Sequence, residues 1–209
     1  MRAAGVCRRT EGSEGMSVQI TGLIHQRGVA LLRITVGIIF LWAGLEKLMA
    51  PQAFDATGFL KFATGGTLGW PFVSGEVAEG TIFNPTHDLW LSIAGNAGLM
   101  GVINVLVPFG QIGIGISLIL GLFTRFGATM GALMMAFFFF AAWDFAYGIV
   151  NQHLTYALIS LTLAGLGAGR YYGLDSVLAT RFPAGFRRWF MSGQPAAGGT
   201  ATNPVRVTV

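Results

Sequence analysis

Uncharged apolar stretches alternate with short polar hinges along most of the chain. Residues 28–49, GVALLRITVGIIFLWAGLEKLM, carry one charge, Arg33, before Glu46 and Lys47 close the stretch. At 1.5 Å per residue this is about 33 Å of helix, enough to cross a hydrocarbon layer of roughly 30 Å. Residues 89–123 hold no charge, Thr124-Arg125 interrupts, and residues 126–143 are uncharged again. A cation between two such runs reads as a turn at a membrane surface. A last apolar stretch, residues 151–168, stops at Arg170-Tyr171-Tyr172, a basic and aromatic group of the kind that anchors helices at an interface.

Within the first stretch Arg33, Gly37, Gly44 and Lys47 fall on one side of a helix at 100° per residue. The two glycines predict a closely packed neighbour along that side. Gly127 and Gly131 repeat the four-residue spacing in the third stretch, and Gly165 and Gly169 in the last. The second stretch is the ambiguous one. As a single straight helix its 35 residues would measure about 52 Å, too long for one crossing. Pro108-Phe109-Gly110 predicts a break near its middle. It is either an interfacial helix feeding a bent span from about Gly101 to Phe123, or two crossings.

The cations choose between these. With four spans and the N-terminus inside, Arg27, Arg125, Arg170, Arg181, Arg187 and Arg188 all fall on the inner side, with Arg33 near it. Lys47, Lys61 and most acids fall outside, which is the positive-inside distribution. A fifth crossing would reverse Arg125 and the C-terminal arginines. The expectation is therefore an all-α integral membrane four-helix bundle in the cell membrane, with both termini cytoplasmic.

Residues 51–88 are too long for a simple connection. Phe54, Phe59, Leu60 and Phe62 around Lys61 predict a short interfacial helix, and residues 64–85 an exposed extracytoplasmic loop or a surface for a partner subunit. Residues 1–27 read as a polar N-terminal segment, in which Met16 competes with Met1 as the start. Residues 171–191 read as a basic interfacial tail and residues 192–209 as disordered.

Composition agrees with lipid as the solvent. The chain is 53% hydrophobic and 11% charged, where a soluble domain carries about 25% charged residues. Its 31 glycines suit membrane helices packed at close range. The net charge of +4 does not point to nucleic acid, because the cations sit at the ends of apolar runs and form no patch with interleaved aromatics. The one cysteine, Cys7, excludes an internal disulfide, a CxxC pair and a cysteine-ligated cluster within the chain.

Polar residues at membrane depth are the candidates for chemistry. Asn96, Asn104 and Gln111 fall within about 80° on a continuous helix, as a polar stripe or as hydrogen bonds between helices. Glu46 and Lys47 can pair, reach Gln111 or hold a ligand headgroup; equally, they are solvated charges at a helix end. Asp144, Asn151, His153 and Tyr156 are expected near the outer surface, where His153 can donate to a quinone carbonyl or exchange a proton with it. No metal or haem site is expected, since His25, His87 and His153 lack ligand partners at helical spacing. No Walker or GxSxG motif is present.

Four fragments together carry a resemblance: LLRITVGIIFLWAGLEKL, GQIGIGISLILGLFTRFGA, NQHLTYALISLTLAGLGAG and RYYGLDSVL. Over residues 28–178 the chain resembles the four-helical DoxX/DoxD membrane family. The long loop before the second span is more similar to the DoxD branch, the membrane subunit of a quinone-reducing thiosulfate oxidoreductase. The resemblance implies a four-helix domain over residues 28–170 and recurring polar positions at Arg33, Glu46-Lys47, Thr124-Arg125 and Gly173-Leu174-Asp175. It also implies a departure, because family members commonly have glutamate where this chain has Gln111. Two functions follow as expectations. One is a quinone-headgroup pocket formed by Glu46, Lys47, Gln111 and His153 near the outer surface. The other is a non-catalytic scaffold that docks a redox partner through residues 51–88. A small-solute transporter is disfavoured by the lack of an inverted repeat.

Overall fold

The computed structural model describes residues 10–192 except 70, 71 and 149, with side chains in the first helix from Ile24 onward. The chain is mostly helical. Four long helices dominate: α1 (Thr10–Met49), α4 (Ala97–Leu120), α5 (Thr124–Ala142) and α6 (Gln152–Leu166). Between α1 and α4 lie α2 (Thr57–Phe62), β1 (Thr67–Leu68) and α3 (His87–Ala94). β2 (Asp144–Phe145) links α5 to α6, and α7 (Leu174–Leu178) and α8 (Ala184–Phe190) follow them.

Among the described residues three helices have the length and hydropathy to cross a membrane: Ile24–Met49, Ala97–Leu120 and Thr124–Ala142, with mean hydropathies of 2.0, 1.9 and 1.5. α6 has 15 residues, about 22 Å, and falls short of the roughly 30 Å that a perpendicular crossing needs. α1 packs along α4, α4 against α5, and α5 against α6. α1 and α4 run antiparallel, because Gly37 meets Gly115 and Ile119 while Gly44 meets Pro108 and Ile112.

Burial is inverted relative to a water-soluble protein. Arg33, Gln111, Thr124, Ser160 and Asp175 are buried, while Leu31, Val102, Leu106, Phe137 and Leu161 are exposed. Water as solvent would make that arrangement costly, whereas hydrocarbon around the helices rewards it. The interior is filled by Val36 and Phe40 of α1, Ile114 and Leu118 of α4, Ala128 and Met135 of α5, and Leu163 of α6. A second cluster, Ala56, Leu60, Trp90, Ala94, Met100 and Ala141, seats α2 and α3 on the bundle end that also holds Lys47.

Several expectations change. Residues 10–27, read as a polar lead-in, continue α1. The break in the second stretch falls at Gly95-Asn96, not at Pro108. The Asn96 side chain accepts from the backbone N–H groups of Gly98 and Leu99 and so starts α4. Pro108 is buried inside α4, which accommodates the missing N–H as membrane helices do. The expected loop over residues 64–85 is largely exposed over residues 72–82 and is fastened at both its ends. β1 pairs in parallel with β2, Thr67 opposite Asp144, and buried Asn84 donates to the carbonyls of Thr64, Phe140 and Ala141. Ser192, placed in a disordered terminus, is fully buried: its N–H donates to Asp175 and its Oγ accepts from Gly169 N–H. The rest of that expected disorder, residues 193–209, lies outside the described residues.

Candidate functional site

Each end of the helix group holds one polar constellation. At the first, α1 passes the end of α4, the start of α5 and the end of α6. Arg33, fully buried, donates through Nη1 to the carbonyls of Ala168 (2.9 Å) and Tyr171 (3.1 Å), and through Nη2 to that of Tyr172 (3.4 Å). The guanidinium thus satisfies carbonyls where α6 unwinds into a 3₁₀ turn. Gly121 lets it approach. The residue sits at φ +65°, and a Cβ there would lie 2.6 Å from Arg33 Nη1. Asp175 accepts the N–H groups of Phe123, Thr124 and Ser192, binding the α4–α5 turn to the chain after α6. Arg33, Thr124, Gly173 and Asp175 therefore form one knot, and Arg125 points away from it to the carbonyl of Arg188. This end is a structural clasp: the Arg33 fork, the Asp175 carboxylate and Arg125 each engage backbone groups, while Arg33 Nε and Thr124 Oγ1 have no partner among the described residues.

The other end holds a cavity of about 330 Å³ lined by all four long helices. α1 contributes Ile39, Phe40, Ala43 and Lys47; α4 contributes Gln111; α5 contributes Met135 and Phe138; α6 contributes Gln152, His153 and Tyr156. Lys47 Nζ donates to the carbonyl of Ala43, one turn back, and lies 5.8 Å from the Phe54 ring centre. The His153 ring meets Phe138 edge-on at 5.9 Å. Gln111 is 2% exposed, and its Oε1 has no hydrogen-bond partner among the described residues. A buried amide oxygen left unpaired in an apolar wall carries a desolvation cost of about 1–3 kcal/mol. Such a group is a candidate for ligand contact. A second cavity of about 490 Å³, along the link from α5 to α6, shares Gln152 and His153 with the first.

Three of the four residues expected in this pocket, Lys47, Gln111 and His153, line the cavity. Glu46 is exposed, turned about 100° around α1 from Lys47, and is not part of the lining. The polar stripe of α4 is not a stripe: Asn96 caps the helix, Asn104 holds Asp55 and the N–H of Ala56, and Gln111 alone faces the cavity. Asp144 and Asn151 lie along the outer cavity, and Asn151 caps α6. Gln152 was not singled out from the sequence, and Tyr156 only as an outer-surface residue. The spacing i, i+1, i+4 from Gln152 places them with His153 on one helical face, which was the available signal. Among the described residues no group of three His, Cys, Asp or Glu side chains is gathered as a metal would need.

The inverted burial and the three apolar helices define a helical membrane protein. The sequence model of the DoxX family matches residues 28–144, more than half of the chain, and the protein belongs to that family. The matched stretch includes Arg33, Lys47 and Gln111 and ends before His153, Tyr156 and Asp175. No curated protein and no solved structure matches the chain.

Proposed function

We propose that this DoxX protein is the membrane subunit of a quinone-linked oxidoreductase, of the thiosulfate:quinone type, and that its 330 Å³ cavity holds the quinone headgroup. It spans the cell membrane four times with both termini cytoplasmic, α6 completing the bundle as a short fourth crossing. The antiparallel order of the helices and the arginines at one end support this orientation.

The observation that carries the reading is the meeting of Lys47, Gln111, His153 and Tyr156 around an otherwise apolar slot. Its volume lies at the small end of the roughly 300–1,000 Å³ range of small-molecule sites, which suits one ring and leaves an isoprenoid tail outside in lipid. A quinone, when bound, supplies two-electron, two-proton redox chemistry. The chain's own residues bind and orient it. Lys47, a cation on the wall of a low-dielectric slot, would favour electron density on a carbonyl oxygen placed there. Gln111 would turn its amide N–H toward a ring carbonyl, and its unpaired Oε1 would accept from a ring hydroxyl of the reduced form. Phe40, Phe138 and Met135 exclude water from the ring faces. His153 lines both cavities and is the residue able to pass a proton between slot and outer surface. Gln111 itself does not titrate, so proton exchange falls to His153.

Electrons come from a protein partner that docks on residues 51–88. Phe72, Val77 and Ile82 are exposed on this segment beside Glu76 and Glu79. Its pairing with β2 connects the docking surface to the wall of the outer cavity. The second reading, a scaffold without redox activity, is favoured by Gln111, which has no proton to exchange where the resemblance implies a glutamate.

The experiment is photo-crosslinking of purified protein with an azido-substituted short-chain quinone, followed by peptide mapping. Label on the peptides of Lys47 or His153, competed by unlabelled quinone and lost in Lys47→Met and His153→Ala, supports the pocket; Lys61→Ala is the control. Unchanged labelling in both cavity variants excludes it. Labelling without thiosulfate-dependent quinone reduction in membranes supports the scaffold.

A further inference from the structure

The arginine end carries a feature that the clasp does not use. α8 is fastened by a row of rings. Phe182 stacks on Phe186 at 5.1 Å and Phe186 on Phe190 at 4.6 Å, while Phe123 of the α4–α5 turn and Phe126 of α5 meet Phe186 and Phe190 at 5.7 and 5.4 Å. Arg125 Nη1 donates to the carbonyl of Arg188 at 2.7 Å and caps the last turn of this short helix. Once α8 is seated, Trp189 stands 74% exposed, its sequence neighbour Phe190 packs on exposed Phe126, and the Arg188 side chain is exposed as well. Arg187 is half-buried, and its Nε is shielded from solvent with no partner among the described residues.

The charge here is uncompensated from nearby sequence. Between Asp144 and Ser192 the one carboxylate is Asp175, and three backbone N–H groups occupy it. Arg125, bonded to the Arg188 carbonyl, and the consecutive Arg187 and Arg188 thus put three cations at one turn of α8, which also carries the exposed Trp189. Guanidinium forks suit phosphate oxygens, and indole rings suit the headgroup level of a bilayer.

We propose that Arg125, Arg187 and Arg188 form a binding site for the phosphate of an anionic phospholipid, with Trp189 and Phe126 against its acyl chains. A lipid, rather than free phosphate, is the occupant because the two rings present apolar area that only hydrocarbon covers. The site is independent of the quinone cavity at the opposite end. The bound lipid neutralises the cationic charge at this turn and steadies α8, and through Ser192 it bears on the clasp at Asp175.

The test uses the full chain in nanodiscs. Trp189 is distant in sequence from the other four tryptophans, and a Trp189→Phe variant isolates its emission by difference. Brominated phosphatidylglycerol at about 20 mol% is expected to quench Trp189 at least about threefold more than brominated phosphatidylcholine at the same fraction. In R187Q/R188Q the preference is expected to vanish; R187K/R188K, which keeps the charge, is expected to keep part of it and guards against a folding defect. Millimolar inorganic phosphate is expected to leave the preference unchanged. Equal quenching by the two lipids overturns the proposal, as does a preference that survives in R187Q/R188Q. Loss of the preference in phosphate identifies a free-anion site and overturns the lipid assignment.

Discussion

Asp175 Oδ1 accepts the backbone N–H of Phe123 at 2.8 Å across 52 residues of sequence. Phe123 precedes α5 in a left-handed conformation, φ +51°, and has no side chain able to cap the helix. The carboxylate supplies the cap from elsewhere in the chain, and its Oδ2 adds the N–H groups of Thr124 and Ser192 at 3.1 and 3.0 Å.

Removing that carboxylate leaves three backbone donors without an acceptor, those of Thr124 and Ser192 buried. Asp175→Ala is expected to lose about 3 kcal/mol, the range for hydrogen bonds to a charged group. Asp175→Asn keeps one acceptor oxygen and is expected to lose less. Unfolding midpoints in mild detergent with added SDS read both. A midpoint for the alanine variant equal to that of the parent protein contradicts the clasp.

Arg33→Met is expected to be destabilising by about 3–5 kcal/mol, because the carbonyls it serves are interior and hydrocarbon offers no replacement. Arg33→Lys is expected to recover part of this loss, since a single ammonium cannot reproduce the fork that reaches Ala168, Tyr171 and Tyr172. Retained size-exclusion profile and melting point in Arg33→Met would falsify the assignment of Arg33 to this role.

The α1–α4 contact makes an opposite pair of predictions within one turn of helix. A Cβ at Gly115 would lie 2.6 Å from the Leu41 backbone nitrogen, whereas one at Gly113 meets nothing within 4 Å. Gly115→Ala is expected to cost about 1–3 kcal/mol through overpacking. Gly113→Ala is expected to be neutral or stabilising by up to about 1 kcal/mol through helix propensity. The same thermal assay decides, and equal effects at the two sites would sink the close-approach argument.

Asp55 ties the segment after α1 to α4. Its carboxylate accepts from the Thr57 hydroxyl at 2.6 Å, the Thr57 N–H and the Asn104 amide, and these bonds hold its pKa below the usual carboxylate value. A depressed folded-state pKa means that the tether is fully present above an unfolded value of about 3.9 and is lost as pH falls through the lower folded one. Hydrogen exchange at Ala56 and Thr57 is therefore expected to stay flat from neutral pH to about 4 and to rise, beyond the intrinsic pH effect, only below it. Asp55→Asn should abolish the acid step; a step that persists assigns it to another group.

Much of the helix plan was readable because lipid imposes length and charge rules on a sequence. The polar hinge at Thr124-Arg125 marked the turn into α5, and Gly37 and Gly44 marked the face that meets α4. The break at Asn96 was missed. Proline normally signals interruption, yet in a membrane helix its cost is absorbed, and the asparagine's capping geometry went unread. Glu46 was grouped with Lys47 because they are adjacent, but consecutive helical residues point about 100° apart and only one reaches the cavity.

Run length, hydropathy and the placement of arginines were enough to identify lipid as the solvent of this chain, since those rules act on local stretches. What each buried polar group does was beyond them. Arg33 finds Ala168 across 135 residues, and Lys47, Gln111 and His153 meet only when α1, α4 and α6 are packed. Hydrogen-bond partners are chosen by proximity in space, and in a protein built of similar apolar helices proximity is a product of packing.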